Sequence, residues 1–161
     1  MIGNAIRITE ARWPEDCAAV ESIFREYVAS LSEDITFQDF EAEFAGLPGK
    51  YARPGGAVLI AWDGAQAAGA VAYRMVEPGV CEMKRLYVRP AFRGRDIGRE
   101  LSEELIDDAR RAGYRTMLLD TLASMGAARA LYRDLGFVPV APYYDNPLPG
   151  VMYMALELSE S

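Results

Sequence analysis

From Glu82 to Arg99 the chain reads Glu-Met-Lys-Arg-Leu-Tyr-Val-Arg-Pro-Ala-Phe-Arg-Gly-Arg-Asp-Ile-Gly-Arg. Six of the 17 basic residues lie between Lys84 and Arg99, with Asp96 as the one acid among them. The local balance is +5 inside a chain whose formal charge is −7. A strand, a Gly-containing turn and a helix N-terminus in that order can turn several free backbone N–H groups toward an anion. The arginines add charge-assisted donors, and Gly94 and Gly98 allow close backbone approach. The chemistry this suits is phosphate or polyanion binding. A solvated basic helix entrance is the plainer alternative. Against it, Glu82 and Lys84 fall in what reads as an interior strand, where charges are costly without a purpose.

A second constellation, Tyr143-Tyr144-Asp145-Asn146-Pro147, sets two tyrosines beside a carboxylate. It suits either an aromatic wall for a cationic amine or a turn anchored by packed tyrosines. Histidine is absent, which removes Ser-His-Asp and Cys-His catalysis and leaves a carboxylate as the expected general base. Cys17 and Cys81 cannot complete a zinc site without further Cys or His, so no metal is expected. They read as reduced thiols, Cys81 as a buried small hydrophobe.

The elements that must position these residues follow from punctuation and period. Ile6–Ile8 reads as a first strand. Trp13-Pro14-Glu15-Asp16 reads as a helix start, with Pro and two acids in the first turn. Val20, Ile23, Phe24, Tyr27, Val28 and Leu31 then form a helical stripe, and Phe37, Phe40, Phe44 and Leu47 a weaker one, stopped by Pro48-Gly49. Ala57–Trp62 and Ala67–Val76 form a hairpin around Asp63-Gly64. A turn at Glu77-Pro78-Gly79 leads to a third strand, Val80–Val88. Next come a helix from about Gly98 to Ala112, a buried parallel strand at Arg115–Asp120 and a helix from about Ala127 to Leu135 ending at Gly136. Phe137–Val140 and Val151–Leu158 are strands around a Pro-rich loop. A hairpin leading into a strand–helix–strand crossover predicts an α/β (α+β) mixed, mostly antiparallel sheet flanked by helices, one domain over residues 1–161.

Two segments together resemble the GNAT superfamily of acetyl-CoA-dependent N-acetyltransferases. Its acyl-CoA loop, R/Q-x-x-G-x-G/A after a strand, is matched by Arg93, Gly94, Arg95, Asp96, Ile97 and Gly98. A later helix pattern, A-x-x-L-Y-x-x-L-G-F, is matched by Ala128, Leu131, Tyr132, Leu135, Gly136 and Phe137. The order of elements fits the family along nearly the whole chain. There are two departures: Asp96 stands where the loop's first Gly is usual, and Met125 or Ser124 stands where an Asn commonly begins the later helix.

Transfer from a thioester to an amine needs a base, because an alkylammonium of pKa ~10.4 is no nucleophile. It also needs donors for the oxyanion and, usefully, an acid for the departing thiolate. Glu82 is the candidate base, directly or through a water. The resemblance adds that in the histone-acetyltransferase branch a Glu eleven residues before the loop's Arg/Gln has that role. A Glu paired with Lys84 or Arg85 for stability would give the same pattern. The resemblance places Tyr132 near the CoA sulfur as the candidate acid, although Ala128, Leu131, Tyr132 and Leu135 also form one core stripe. It further implies that Leu86, Tyr87 and Val88 offer unpaired backbone groups to the pantetheine arm, and that Arg93 to Gly98, with Arg99, hold the phosphates. Tyr143, Tyr144 and Asp145 are the candidate acceptor-binding residues.

As a short acid at a helix start, Asp96 is expected to cap the helix. The negative balance argues against a general nucleic-acid binder and favours, weakly, a small cationic acceptor. The apolar runs are too short for a membrane span, no leader opens the chain, and a cytoplasmic location is expected. Members of the family are often homodimers, so a homodimer is an expectation too. The acceptor is expected to be a small-molecule or peptide amine, and a CoA-binding regulatory domain with little turnover is the competing reading.

Overall fold

The computed structural model describes residues 5–31 and 39–159. Seven strands form one sheet in the order β1-β2-β3-β4-β5-β7-β6. They are β1 (Ile6–Glu10), β2 (Ala57–Asp63), β3 (Gln66–Glu77), β4 (Val80–Val88), β5 (Thr116–Thr121), β6 (Val138–Val140) and β7 (Met152–Glu157). Only β4 and β5 run parallel; every other neighbouring pair is antiparallel. The parallel pair is the one joined by a helix, as the crossover requires. Helices α1 (Cys17–Ser30) and α2 (Phe40–Ala45) cover one face, and α3 (Ile97–Arg111) and α4 (Gly126–Asp134) the other.

Each layer follows from its apolar period. In α3, Leu101, Leu105, Ile106 and Ala109 are buried on the sheet, spaced for one helical face. Arg110 and Arg111 sit in the last turn, where the helix dipole favours cations. In α4 the Phe137 N–H reaches the Tyr132 carbonyl and the Gly136 N–H that of Arg133, both at 3.0 Å. These are the paired bonds of a Schellman end, with Gly136 at φ 104°. That closure sets the register in which Tyr132 faces the sheet, its ring 5.7 Å from Phe137.

The helix expected to start at Trp13–Asp16 begins later. Trp13 to Asp16 form a turn, and α1 starts at Cys17 with no acid in its first turn. Asp16 has a nearer donor, the Arg12 backbone N–H at 2.8 Å, and also meets the Arg12 guanidinium. Phe37 of the second stripe lies outside the described residues, while Phe40 and Phe44 are buried in α2. A single 3₁₀ turn, Gly49–Tyr51, follows Pro48 and buries Tyr51.

Two irregularities in β4 shape everything downstream. Its pairing with β3 shifts between Ala70↔Tyr87 and Ala72↔Lys84, so two residues of β4, Arg85 and Leu86, oppose one residue of β3. Arg85 takes φ 64° there, the conformation of a residue bulged out of the ladder. The bulge turns Arg85 to the same side as Glu82 and Lys84, while Leu86 and Val88 pack with α3 on the other. Second, β4 pairs with β5 only at Val80, Cys81 and Glu82, while β5 stays paired with β7 as far as Thr121. Beyond Glu82 the two parallel strands part.

Candidate active site

At the C-terminal end of β4 a 3₁₀ turn, Pro90–Phe92, leads through Gly94 (φ 84°) and Asp96 into α3. A groove of about 450 Å³ opens there, lined by Val88, Phe92, Arg93, Gly94, Asp96 to Arg99 and residues of α4. The first N–H groups of α3 have no partner within the helix and carry its positive dipole end. A Cβ on Gly98 would project between Leu131 and Val88, 3.8 Å from each, and take up groove space. Helix N-terminus, bare glycine floor and arginines together fit a phosphate-bearing ligand.

Most of the local positive charge has partners from elsewhere. Arg95 meets Asp63 at 2.8 Å, Arg99 meets Asp134 at 3.0 Å and Arg89 meets Glu26 at 2.9 Å. Arg93 bonds the Val88 carbonyl, lies over the Tyr87 ring and has no acid partner among the described residues. Asp96 does not cap α3: its side chain bonds no helix N–H, and its backbone is left-handed at φ 60°. That conformation suits the glycine of the family pattern, and it turns the carboxylate away from the capping geometry.

Where β4 and β5 part, a small cleft is lined by Tyr27, Met83, Lys84, Arg85, Leu86, Asp120, Met125 and Tyr132. Beyond Glu82 the backbone of β4 has no ladder partner on its β5 side among the described residues, so its polar groups are available to a ligand in the cleft. Tyr132 is buried, and its hydroxyl has no hydrogen-bond partner among the described residues. Burial holds this phenol above the ordinary tyrosine range, so it stays protonated, as a donor must.

The cleft meets a larger cavity of about 570 Å³ on the α1–α2 side, lined by Asp39, Glu43, Lys50, Arg74, Glu82, Lys84, Arg85 and Tyr144 among others. Glu82 is 1% exposed. Its Oε2 accepts from the Tyr143 hydroxyl at 2.6 Å and its Oε1 from Arg74 Nε at 2.9 Å, with Lys84 Nζ 3.6 Å away. Burial pushes its carboxyl up, but the Lys84 charge, the Tyr143 bond and Arg74 together hold it below the ordinary range. Lys84 is pulled down by burial against the attraction of Glu82. Arg85, 5% exposed, donates twice to Glu43 at 3.0 and 3.1 Å and lies 4.7 Å from the Phe40 ring centroid.

The loop between β6 and β7 closes the back of the site. Tyr143 bonds Glu82 on β4, and Tyr144 bonds Asp120 on β5. Tyr143, Tyr144 and Tyr153 pack edge to face with centroids 5.2–5.4 Å apart. The structure thus brings Glu82, Tyr143 and Tyr144 together and leaves Asp145 exposed on the loop. Cys81 alternates to the opposite face of β4, in the core with α3, its thiol pushed up by burial to about 12.

Arg74, Glu43 and Asp120 join the site without having been singled out from the sequence, although Asp120 ends the apolar run from Met117. Of the two partners the sequence offered for Glu82, Lys84 lies 3.6 Å from it, whereas Arg85 pairs with Glu43. The partner of Arg85 lies 42 residues away and left no local trace.

A sheet split beyond Glu82, with a phosphate-fitting helix N-terminus past one end of β4 and a charged cavity at the split, is an arrangement that suits a long, phosphate-bearing ligand. Residues 17–137 match the model of the Acetyltransferase (GNAT) family, and the chain belongs to that family. It is 41% identical over 157 residues to an uncharacterized N-acetyltransferase of Schizosaccharomyces pombe, covering 96% of each chain. The N-acetylaspartate synthetase of Danio rerio is 30% identical over 145 residues, 88% of this chain and 51% of that one. The Salmonella typhimurium protein yncA, solved with its cofactor acetyl-CoA, superposes with a TM-score of 0.78 at 26% identity, over 98% of this chain and 96% of that one. The protein is an N-acetyltransferase that uses acetyl-CoA. No helix among the described residues is long and apolar enough to cross a membrane.

Proposed function

We propose that the chain acetylates the primary amine of a small acceptor bound in the Glu82 cavity, by direct attack on the thioester of acetyl-CoA. One observation carries this reading: β4 and β5 part beyond Glu82 and Leu118. The cleft so opened is lined by Leu86 and Tyr132 and shares Lys84 and Arg85 with the cavity of Glu82, while Val88, farther along β4, lines the groove at the α3 N-terminus. Bound acetyl-CoA supplies an activated acetyl group. The N–H groups of residues 97–99, with Arg93, hold its phosphates, Gly94 and Gly98 leave room for them, and Asp96 is a charge against them. Arg95 and Arg99 contribute at longer range through their exposed ion pairs. The backbone of Leu86, Tyr87 and Val88 holds the pantetheine arm.

Glu82, kept ionised by its surroundings, takes the proton the acceptor ammonium must lose. Each of its oxygens already accepts one hydrogen bond and keeps a lone pair for the acceptor N–H or a bridging water. Tyr132 acts as the acid by directing its phenol O–H at the departing thiolate. Because the thiol has the lower ordinary pKa, this bond stabilises the thiolate, and the proton lost by the acceptor nitrogen balances the thiol released. Tyr143 orients Glu82 and Tyr144 orients Asp120, and the two rings wall the acceptor; Asp145 acts at the entrance. Thiol release from acetyl-CoA over a panel of primary amines tests the reading, with the same assay on Glu82→Gln and a thermal shift with CoA as control. A chain stabilised by CoA that releases thiol with no amine overturns it.

A further inference from the structure

The acceptor cavity contradicts the charge of the chain that holds it. Among the described residues it is lined by four cations, Lys50, Arg74, Lys84 and Arg85, and by three acids, Asp39, Glu43 and Glu82. Asp39 sits at the start of α2, where its Oδ1 accepts from the Ala42 N–H. The two remaining carboxylates are each shared by two cations. Glu43 faces Arg85 and Lys50 at 3.0 and 3.1 Å, and Glu82 faces Arg74 and Lys84 at 2.9 and 3.6 Å. In each cluster one cation is nearly buried while the other, Lys50 or Arg74, keeps a third or more of its side chain exposed. A purely cationic amine entering this cavity meets three carboxylates, each already engaged, and four like charges.

From this arrangement we infer that the acceptor is an α-amino acid, its ammonium on Glu82 and its carboxylate on the guanidinium of Arg74. The inference rests on the acetyl-transfer reading above and names the substrate class of that same site. Arg74 Nε is committed to Glu82, and Nη1 reaches the Met75 carbonyl at 3.4 Å. Nη2 has no partner among the described residues, and carboxylates are the ligands a guanidinium fork recognises best. Arg74 Nε and Glu82 Oε1 are 2.9 Å apart. In an α-amino acid a single carbon holds the ammonium close to the carboxylate, so the zwitterion fits antiparallel to this close ion pair and answers both of its ends. An amine lacking the carboxylate leaves the Arg74 end unanswered. A carboxylate lacking the amine offers nothing to acetylate.

The test pairs the common L-amino acids with their decarboxylated amines and their methyl esters, in thiol release by the full chain with acetyl-CoA. The expected result is a kcat/KM for the best amino acid about 30-fold or more above its matched amine and ester. Arg74→Gln should bring that ratio to within about 3-fold, and Arg74→Lys should restore part of it. Calorimetric titration of the cofactor-free chain reads the same preference without turnover, with the amino acid binding about 10-fold tighter than the amine in the wild type and equally in Arg74→Gln. Amines turned over as well as amino acids, or a preference that survives Arg74→Gln, overturns the inference and leaves acetyl transfer standing. Thiol release with neither series overturns the acetyl-transfer reading and the inference with it.

Discussion

At the loop end of β4, Arg95 and Arg99 meet Asp63 and Asp134 with at least one partner of each pair well exposed. At the cavity end, Arg85 meets Glu43, and Glu82 meets Arg74 and Lys84, with Arg85, Glu82 and Lys84 nearly or wholly removed from water. Both ends pair a basic side chain with a carboxylate, at 2.8–3.0 Å for the arginine pairs. What differs is the dielectric around them: exposed pairs are screened, and each is worth about 1 kcal/mol or less. Breaking a buried pair strands a charge at a cost of about 3–5 kcal/mol. Charge near the loop can therefore exchange partners with a ligand cheaply, whereas charge in the cavity is fixed in place before any ligand arrives. Such fixed charge is what a reacting centre uses.

The largest effect expected from this contrast is on turnover. Glu82→Gln should lower kcat by about 10²–10⁴-fold while leaving KM for acetyl-CoA near the wild-type value, read by steady-state thiol release. Because its surroundings lower its pKa, wild-type Glu82 stays ionised down through the ordinary carboxylate range. The acid limb it causes should therefore lie below about pH 4.3 and vanish in the variant. An unchanged kcat would return Glu82 to a purely structural role.

Next comes stability. Arg85→Met should cost about 3–5 kcal/mol, a fall of roughly 6–20 °C in Tm. Glu43→Gln, which leaves the bulge backbone untouched, should fall in the same direction. Arg99→Ala at the exposed end should stay within about 0.5 kcal/mol of wild type. Equal losses at the two ends would break the comparison. Acid titration sharpens it further. Glu43 and Glu82 are both lowered in the folded chain, so the stability they contribute is fully present above about pH 4.3–4.5 and is lost as pH falls through their folded values. That loss should be shallower in Arg85→Met.

Tyr132→Phe should slow thiol release about 100-fold. Stability should change by no more than about 0.5 kcal/mol, since the hydroxyl bonds no described residue. Wild-type turnover in that variant would remove the acid role. The smallest effect belongs to Asp96→Gly. Glycine relieves the left-handed backbone, stabilising the fold by about 1 kcal/mol, and removes a carboxylate from the phosphate groove. Acetyl-CoA should bind several-fold tighter in calorimetry, with the gain shrinking as salt rises. Weaker binding would mean that Asp96 builds the loop.

Much of the fold was legible because β4 is bracketed by Pro78-Gly79 and Pro90, which set its ends at Val80 and Val88. The Leu-Ala stripe did the same for α3. The position of β7 between β5 and β6 was not legible, since pairing partners at that separation leave no periodic mark. Glu82 and Tyr132 stood out by type and motif. Arg74 and Glu43 did not, because a charge on an otherwise ordinary strand or helix acquires meaning only from what folds opposite it. The +5 stretch hid its partners in the same way: the acids that pair with three of its arginines, Glu26, Asp63 and Asp134, lie 32 to 63 residues from them.

The two tyrosines of the β6–β7 loop grip opposite banks of the split, one holding β4 through Glu82 and the other β5 through Asp120. Whatever wedges those banks further apart must strain this double clasp, and whatever loosens the clasp makes the wedge easier to drive. Occupancy of the cleft and protection of the loop amides from hydrogen exchange are thus two faces of one coupling free energy, equal in size whichever event comes first.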